Sequence, residues 1–191
     1  VKRSWIPNAL TLARLVLVGP ILWCLAEGWF PAAVALFAVA GLTDALDGYL
    51  ARRLDARSAL GAALDPMADK ALLSGAYVAL AWLGALPVWL AGLVVGRDLA
   101  ILIAAGLVRL RWGAFSPRPS MLSKVNTAAQ LVLAAVAMIH QALVPESEPV
   151  MLAALIGLVA VTTVASGLGY AWTAWHRLRE RPTGPHTGSP A

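Results

Sequence analysis

Six apolar stretches run along the chain, Ile6 to Ala26, Pro31 to Leu50, Leu60 to Leu83, Leu86 to Val108, Met121 to Val144 and Val150 to Trp175. Between them fall short segments marked by Gly, Pro and charge: Glu27 to Phe30, Ala51 to Ala59, the pair around Gly84, Arg109 to Ser120, and Pro145 to Pro149. A helix that crosses the hydrocarbon core of a bilayer needs about 20 mostly apolar residues. The pattern therefore predicts an all-α integral membrane protein of six transmembrane helices. Arg14 inside the first stretch, with no small-residue cleavage signal after it, argues that this stretch stays as a helix rather than being removed.

Charge placement adds an orientation. Lys2, Arg3, Arg52, Arg53, Arg57, Arg109, Arg111, Arg118, Arg177, Arg179 and Arg181 all fall in the terminal segments and alternate loops, while the opposite loops carry Glu27, Glu146 and Glu148. Basic residues stay on the cytoplasmic side, so both termini are expected there, which requires an even number of spans. The composition agrees. The chain is 60% hydrophobic and 13% charged, against about 45–50% and about 25% in soluble domains, which excludes a water-soluble globular fold. The net charge of +5 would suit nucleic acid, but its confinement to one face suits anionic lipid headgroups instead, and no nucleic-acid partner is expected. Residues 1–180 are expected to form one membrane domain, followed by a disordered tail over 181–191. Cys24, the single cysteine, excludes an internal disulfide or a cysteine zinc cluster and reads as a small buried hydrophobe. His140, His176 and His186 are scattered, and Trp5, Trp29 and Trp175 lie near helix ends as interface anchors.

Four carboxylates are out of place in such a chain. Asp44 and Asp47 are three residues apart, Asp65 and Asp69 four apart, so each pair shares one helix face. A charge at the centre of a membrane helix costs roughly 2.5–3.5 kcal/mol on insertion scales, and four need compensation. The two pairs are symmetric about the Arg-rich loop, so an antiparallel hairpin brings them level. Two divalent cations would cancel four negative charges, and hard oxygen donors suit Mg2+ or Mn2+; two such ions can clamp the oxygens of a phosphoryl displacement. Pairing with Arg52, Arg53, Lys70 or Lys124 for packing alone is the bland alternative. A divalent cation transporter is the rival from another class, but the residues after Asp69 are mostly apolar, so the acidic site opens to one side only.

The full segment reads Asp44, two residues, Asp47, Gly48, two residues, Ala51, Arg52, eight residues, Gly61, three residues, Asp65, three residues, Asp69. It resembles the complete signature of the CDP-alcohol phosphotransferase family, and the six-helix plan and basic cytoplasmic face fit that family too. The resemblance implies transfer of a phosphatidyl or similar group from a CDP-alcohol to an acceptor hydroxyl with release of CMP, two divalent cations per site, and a homodimer. It implies metal binding by Asp44, Asp47 and Asp65, and a catalytic base at Asp69 that also touches the second metal. Gly48 would admit the nucleotide, with Asp47 beside it, Arg52 would hold the pyrophosphate, and Ser58 and Gly61 would border the nucleotide. Asn8, Thr11 and Arg14 recur at helical spacing on the first helix and are expected to face the same CDP-diacylglycerol site.

Within the family, Ala40 to Asp44, Arg57 to Gly61, Leu64 to Pro66, Arg97-Asp98, and Ser123 to Thr127 followed by Gln130 resemble the branch of CMP-forming cardiolipin synthases. The partners that branch implies are CDP-diacylglycerol and phosphatidylglycerol, and Arg97, Arg118, Lys124 and Asn126 are expected to receive the acceptor headgroup. The sister branch, the phosphatidylglycerophosphate synthases, shares Ile6-Pro7-Asn8, Thr11 and Arg14 but uses glycerol 3-phosphate and typically has Glu where Asp98 stands. A negative charge at Asp98 beside the acceptor pocket is expected to disfavour that dianion. The expected location is the bacterial cytoplasmic membrane, or the mitochondrial inner membrane in a eukaryote, with the site facing the cytoplasm.

Overall fold

The computed structural model describes the backbone of residues 5–54, 59–112, 121–144 and 150–179, and within these all side chains but those of 5–11, 44–54, 59–69, 105, 107–112, 174 and 177–179. The segments 55–58 and 113–120, and with them Ser58 and Arg118, lie outside the described residues, as does the tail 181–191. All described secondary structure is helical: α1 (Trp5–Ala26), α2 (Phe30–Leu54), α3 (Ala59–Trp82), α4 (Val88–Trp112), α5 (Met121–Leu143) and α6 (Val150–Arg179). The six helices coincide with the six apolar stretches. Three of them, α2, α4 and α6, run four residues further than hydropathy suggested, through Leu54, Trp112 and Arg179. Apolarity reports where hydrocarbon would end, whereas a helix continues as long as its own backbone hydrogen bonds do.

Two of the turns are built alike. Gly28 ends α1 at φ 72° and Gly84 ends α3 at φ 75°, a left-handed conformation that favours glycine. The Gly28 N–H donates to the Leu25 carbonyl and the Trp29 N–H to that of Cys24, just as Gly84 donates to Ala81 and Ala85 to Leu80. Both are Schellman caps, and they turn α1 into α2 and α3 into α4 within a few residues.

The first helix is a wedge: α1 packs against both α2 and α3. At Gly75 the approach is close, since a Cβ there would lie 3.3 Å from both δ-carbons of Leu22. Helix α3 also packs on α4 and α5, α5 on α2 and α6, and α6 on α4. The core is divided along its length. Toward the Gly28 and Gly84 turns it is apolar, with Ile21, Leu25, Phe37, Tyr77, Leu80, Leu90, Leu133 and Met138 buried. Toward the opposite end the buried groups turn polar, with Arg14, Asp98, Asn126, Gln130, Thr162, Thr163 and Ser166. Cys24 is buried in the apolar half, as its surroundings in the sequence suggested.

The outside is as apolar as the inside. Trp82 is 90% exposed, Val88 73% and Leu143 73%, and α6 turns Val161, Leu168 and Trp172 outward. Contiguous apolar surface on this scale marks contact with lipid or protein. Among the described residues, Met121–Leu143 and Val150–Thr173 are each long and apolar enough to cross a membrane, and Leu12–Ala26 and Phe30–Thr43 are apolar as well. Only 17% of the most apolar 18-residue stretch of α6 is buried within the chain, the reverse of a soluble protein's core helix.

Candidate active site

The signature aspartates are distributed over two helices. Asp44 and Asp47 stand in the second half of α2, with Gly48 and Arg52 after them, and Gly61, Asp65 and Asp69 stand in the first half of α3. The side chains of all seven lie outside the described residues, as do those of Asn8 and Thr11 on α1. Chain direction puts both sets toward the polar end, because α2 and α3 are joined there through 55–58. The third member is described: Arg14, on the helix that packs against both α2 and α3, is 1% exposed. Burying a guanidinium that deeply is costly unless charge and hydrogen bonds meet it, so the wedge helix sends its one internal cation into the interior rather than to lipid. The donor set itself, four carboxylates at i, i+3 and i, i+4 spacing on neighbouring partners of one helix, suits hard divalent cations of the magnesium or manganese kind.

Beside these helices a second polar group is described in full. Arg97 on α4 donates from Nη1 to Asp98 Oδ1 at 2.7 Å, and from Nη2 to Ser123 Oγ on α5 at 2.8 Å and Ser166 Oγ on α6 at 2.6 Å. Its guanidinium also lies 5.8 Å from the centre of the Tyr170 ring, within range of a cation–π contact. Lys70 on α3 reaches the same Asp98 oxygen at 3.0 Å. The Asp98 carboxylate and the Arg97 guanidinium thus together tie four helices.

The expectation that Asp98 presents a free negative charge is corrected here. Two cations share its oxygen, so the cluster carries one net positive charge and offers no repulsion to a dianion. The residue still matters, but as a counter-ion.

Further along the seam, Asn126 accepts from Thr162 Oγ1 at 2.8 Å and Thr163 Oγ1 at 2.9 Å, and Gln130 donates to Thr163 Oγ1 at 3.3 Å. Asn126 and Gln130 are both fully buried between α5 and α6. Arg97 Nε and Asn126 Nδ2 are buried donors with no hydrogen-bond partner among the described residues. Of the residues expected to receive the acceptor, the structure brings Arg97 and Asn126 to one seam and leaves Lys124 exposed on α5 away from it. Sequence reasoning missed the α6 side of the seam. Its signal is present: Thr162, Ser166 and Tyr170 follow at intervals of four through an otherwise apolar run, which is a polar stripe on one face of the helix.

Comparison with known proteins fits this arrangement. A family model described as CDP-alcohol phosphatidyltransferase matches residues 4–172. The human protein named cardiolipin synthase (CMP-forming) is 38% identical over 186 residues, covering 88% of this chain and 62% of its own length. The Streptomyces coelicolor protein of the same name is 37% identical over 131 residues, covering 64% of this chain and 59% of its own. A Mycobacterium tuberculosis protein (strain H37Rv) named probable phosphatidylglycerophosphate synthase is 34% identical over 177 residues, 85% of this chain and 78% of its own. The chain spans about three fifths of the length of the human and rat relatives it matches. With the matched region running through all six helices and across the whole aspartate signature, the chain belongs to the CDP-alcohol phosphatidyltransferase family.

Proposed function

We propose that this chain is a CMP-forming cardiolipin synthase, which transfers the phosphatidyl group of CDP-diacylglycerol to a glycerol hydroxyl of phosphatidylglycerol. The observation that carries the reading is the complete aspartate signature on α2 and α3, two helices packed on the α1 wedge that buries Arg14. The relatives named cardiolipin synthase support the choice of acceptor.

The reading includes a membrane topology. The shortest of the six helices has 22 residues, about 33 Å at 1.5 Å per residue, enough for a hydrocarbon core of about 30 Å. All six therefore span, with both termini and the polar end of the bundle in the cytoplasm, residues 1–180 forming one membrane domain that pairs into a homodimer. In a bacterium that membrane is the cytoplasmic one.

Asp44, Asp47, Asp65 and Asp69 would hold two magnesium or manganese ions, which supply charge neutralisation at the pyrophosphate when bound. Gly48 and Gly61 leave space for the cytidine nucleotide, with Ser58 at its border, and Asn8, Thr11 and Arg14 line the α1 side. Arg52 matches the phosphate oxygens with a planar fork. Asp69 accepts the proton of the acceptor's hydroxyl as that oxygen attacks the lipid-linked phosphorus, and CMP departs with the bonding pair. No protein nucleophile is needed, since positioning and electrostatics supply most of phosphoryl-transfer catalysis. Arg97 Nε and Asn126 Nδ2, buried donors without partners among the described residues, serve the headgroup of the acceptor from the α5–α6 seam, and Lys124, exposed on α5 outside that seam, and Arg118 are assigned to the same headgroup.

Glycerol 3-phosphate is the second acceptor to consider, favoured by the mycobacterial relative's name and by the net positive charge around Asp98. The test is direct. Purified protein is incubated with magnesium, CDP-diacylglycerol and either phosphatidylglycerol or glycerol 3-phosphate, and the lipid product is identified by mass spectrometry. Cardiolipin is the expected product; phosphatidylglycerophosphate without cardiolipin would move the chain to the sister activity.

A further inference from the structure

We propose that Lys70 and Asp98 form a positioning pair that fixes the rotation of α3 about its own axis, and with it the placement of Asp69. The assignment rests on the phosphotransfer reading above for the role of Asp69, and on geometry for the rest. Lys70 Nζ meets Asp98 Oδ1 at 3.0 Å across the α3–α4 interface. The side chains of Asp98 and Arg97 are 9% and 7% exposed and that of Lys70 28%, so the pair sits at the edge of a nearly dry cluster where charge interactions are weakly screened. Asp98 cannot drift, because Arg97 holds the same oxygen and is itself anchored to Ser123 on α5 and Ser166 on α6. The anchor therefore belongs to three helices and the tether to the fourth.

Lys70 directly follows Asp69, and successive helical positions are set about 100° apart. Holding the lysine fixes the azimuth of the aspartate. A carboxylate lies about 6 Å from the axis of its helix, so a turn of only about 10° moves it by about 1 Å, a misplacement that can cost about 100-fold in rate. Nothing else on the described part of α3 at this end makes a charged contact to another helix.

The test compares Lys70→Met, Lys70→Arg, Asp98→Asn and the double variant Lys70→Met/Asp98→Asn in the full chain in detergent with phosphatidylglycerol. Lys70→Met is the informative single variant because Arg97 still neutralises Asp98, so the cluster keeps its ion pair and the chain folds. The expected result is a fall in kcat of about 10- to 100-fold, with KM for CDP-diacylglycerol and the thermal unfolding midpoint nearly unchanged. Lys70→Arg should restore most of the kcat. Asp98→Asn also removes the counter-ion of Arg97, so the pair is read the other way round: Lys70→Met added to Asp98→Asn should change kcat by less than about threefold, since the lysine's partner is already gone. A Lys70→Met protein with wild-type kcat, or two losses that multiply, would overturn the pair. So would a raised KM for the acceptor at unchanged kcat, which would make Lys70 a binding residue. If the wild-type chain itself releases no CMP from CDP-diacylglycerol, the functional reading falls and the assignment with it.

Discussion

The Tyr77 hydroxyl on α3 donates to the backbone carbonyl of Gln130 on α5 at 3.1 Å, across 53 positions of sequence. The ring is fully buried, and the bond marks the level at which the bundle's apolar half gives way to its polar half. Apolar Leu80 and Leu133 lie beyond it on one side, and Asn126 and Lys70 on the other.

Tyr77→Phe should therefore disturb stability and leave the chemistry alone. It keeps the ring and loses one buried hydrogen bond, worth about 0.5–1.5 kcal/mol. Denaturant unfolding in micelles should register that loss while CMP release stays within about twofold of wild type. A collapse of turnover would show that the polar site extends deeper than this boundary.

Asp44→Asn and Asp65→Asn should each abolish turnover through lost metal affinity, because each removes a charged oxygen donor from one α2 or α3 carboxylate pair. Magnesium titration of CMP release is the measurement. Near-normal rates at low magnesium in either variant would rule out a shared two-metal site.

Asp69→Asn should separate binding from chemistry. It preserves shape and an acceptor oxygen but removes the basic carboxylate, and general-base catalysis contributes about 100- to 10,000-fold. Calorimetry of CDP-diacylglycerol with magnesium should show binding close to wild type beside that loss of turnover. Equal loss of both would make Asp69 chiefly a metal ligand.

Asn126→Ala should destabilise more than Thr162→Val. Thr162 Oγ1 lies 2.8 Å from both Asn126 Oδ1 and the Leu158 carbonyl, so its single proton has an alternative, and Thr163 continues to hold the amide. Removing Asn126 takes the acceptor from the Thr163 proton, although Gln130 still donates to that oxygen, and leaves a cavity in the buried seam. About 1–2 kcal/mol against about 0.5 kcal/mol is the expected contrast, read from unfolding midpoints at matched detergent. Equal losses would mean that the two hydroxyls respond alike.

The helices were legible because long apolar runs mark them directly, and the family because Asp44, Asp47, Asp65 and Asp69 stand out at signature spacing against apolar surroundings. The helix ends were less so, since Arg52 and Arg109 end an apolar run without ending the backbone ladder. The role of Asp98 was not legible. A single sequence says that an acid stands beside Arg97, but Lys70 reaches it only through the packing of α3 on α4, and that contact reverses its electrostatic meaning. Ser166 was overlooked for the related reason that a serine hydroxyl in a helix is satisfied by its own backbone as readily as by a neighbour, so its presence alone does not announce a partner; Tyr170 meets Arg97 through its ring, a contact set only by the packing of α6 on α4.

The wedge position of α1 also sets an order for biosynthesis. Its Arg14 is enclosed by helices made later, and α3 is complete only at Trp82, 56 residues after α1 ends at Ala26. At 5–20 residues per second the ribosome needs about 3–11 s for that interval. On the proposed six-span topology the arginine would lack its enclosing helices for that interval, an exposure disfavoured by roughly 2.5–3.5 kcal/mol at the bilayer centre, so the first helix would complete its burial only as a group of three.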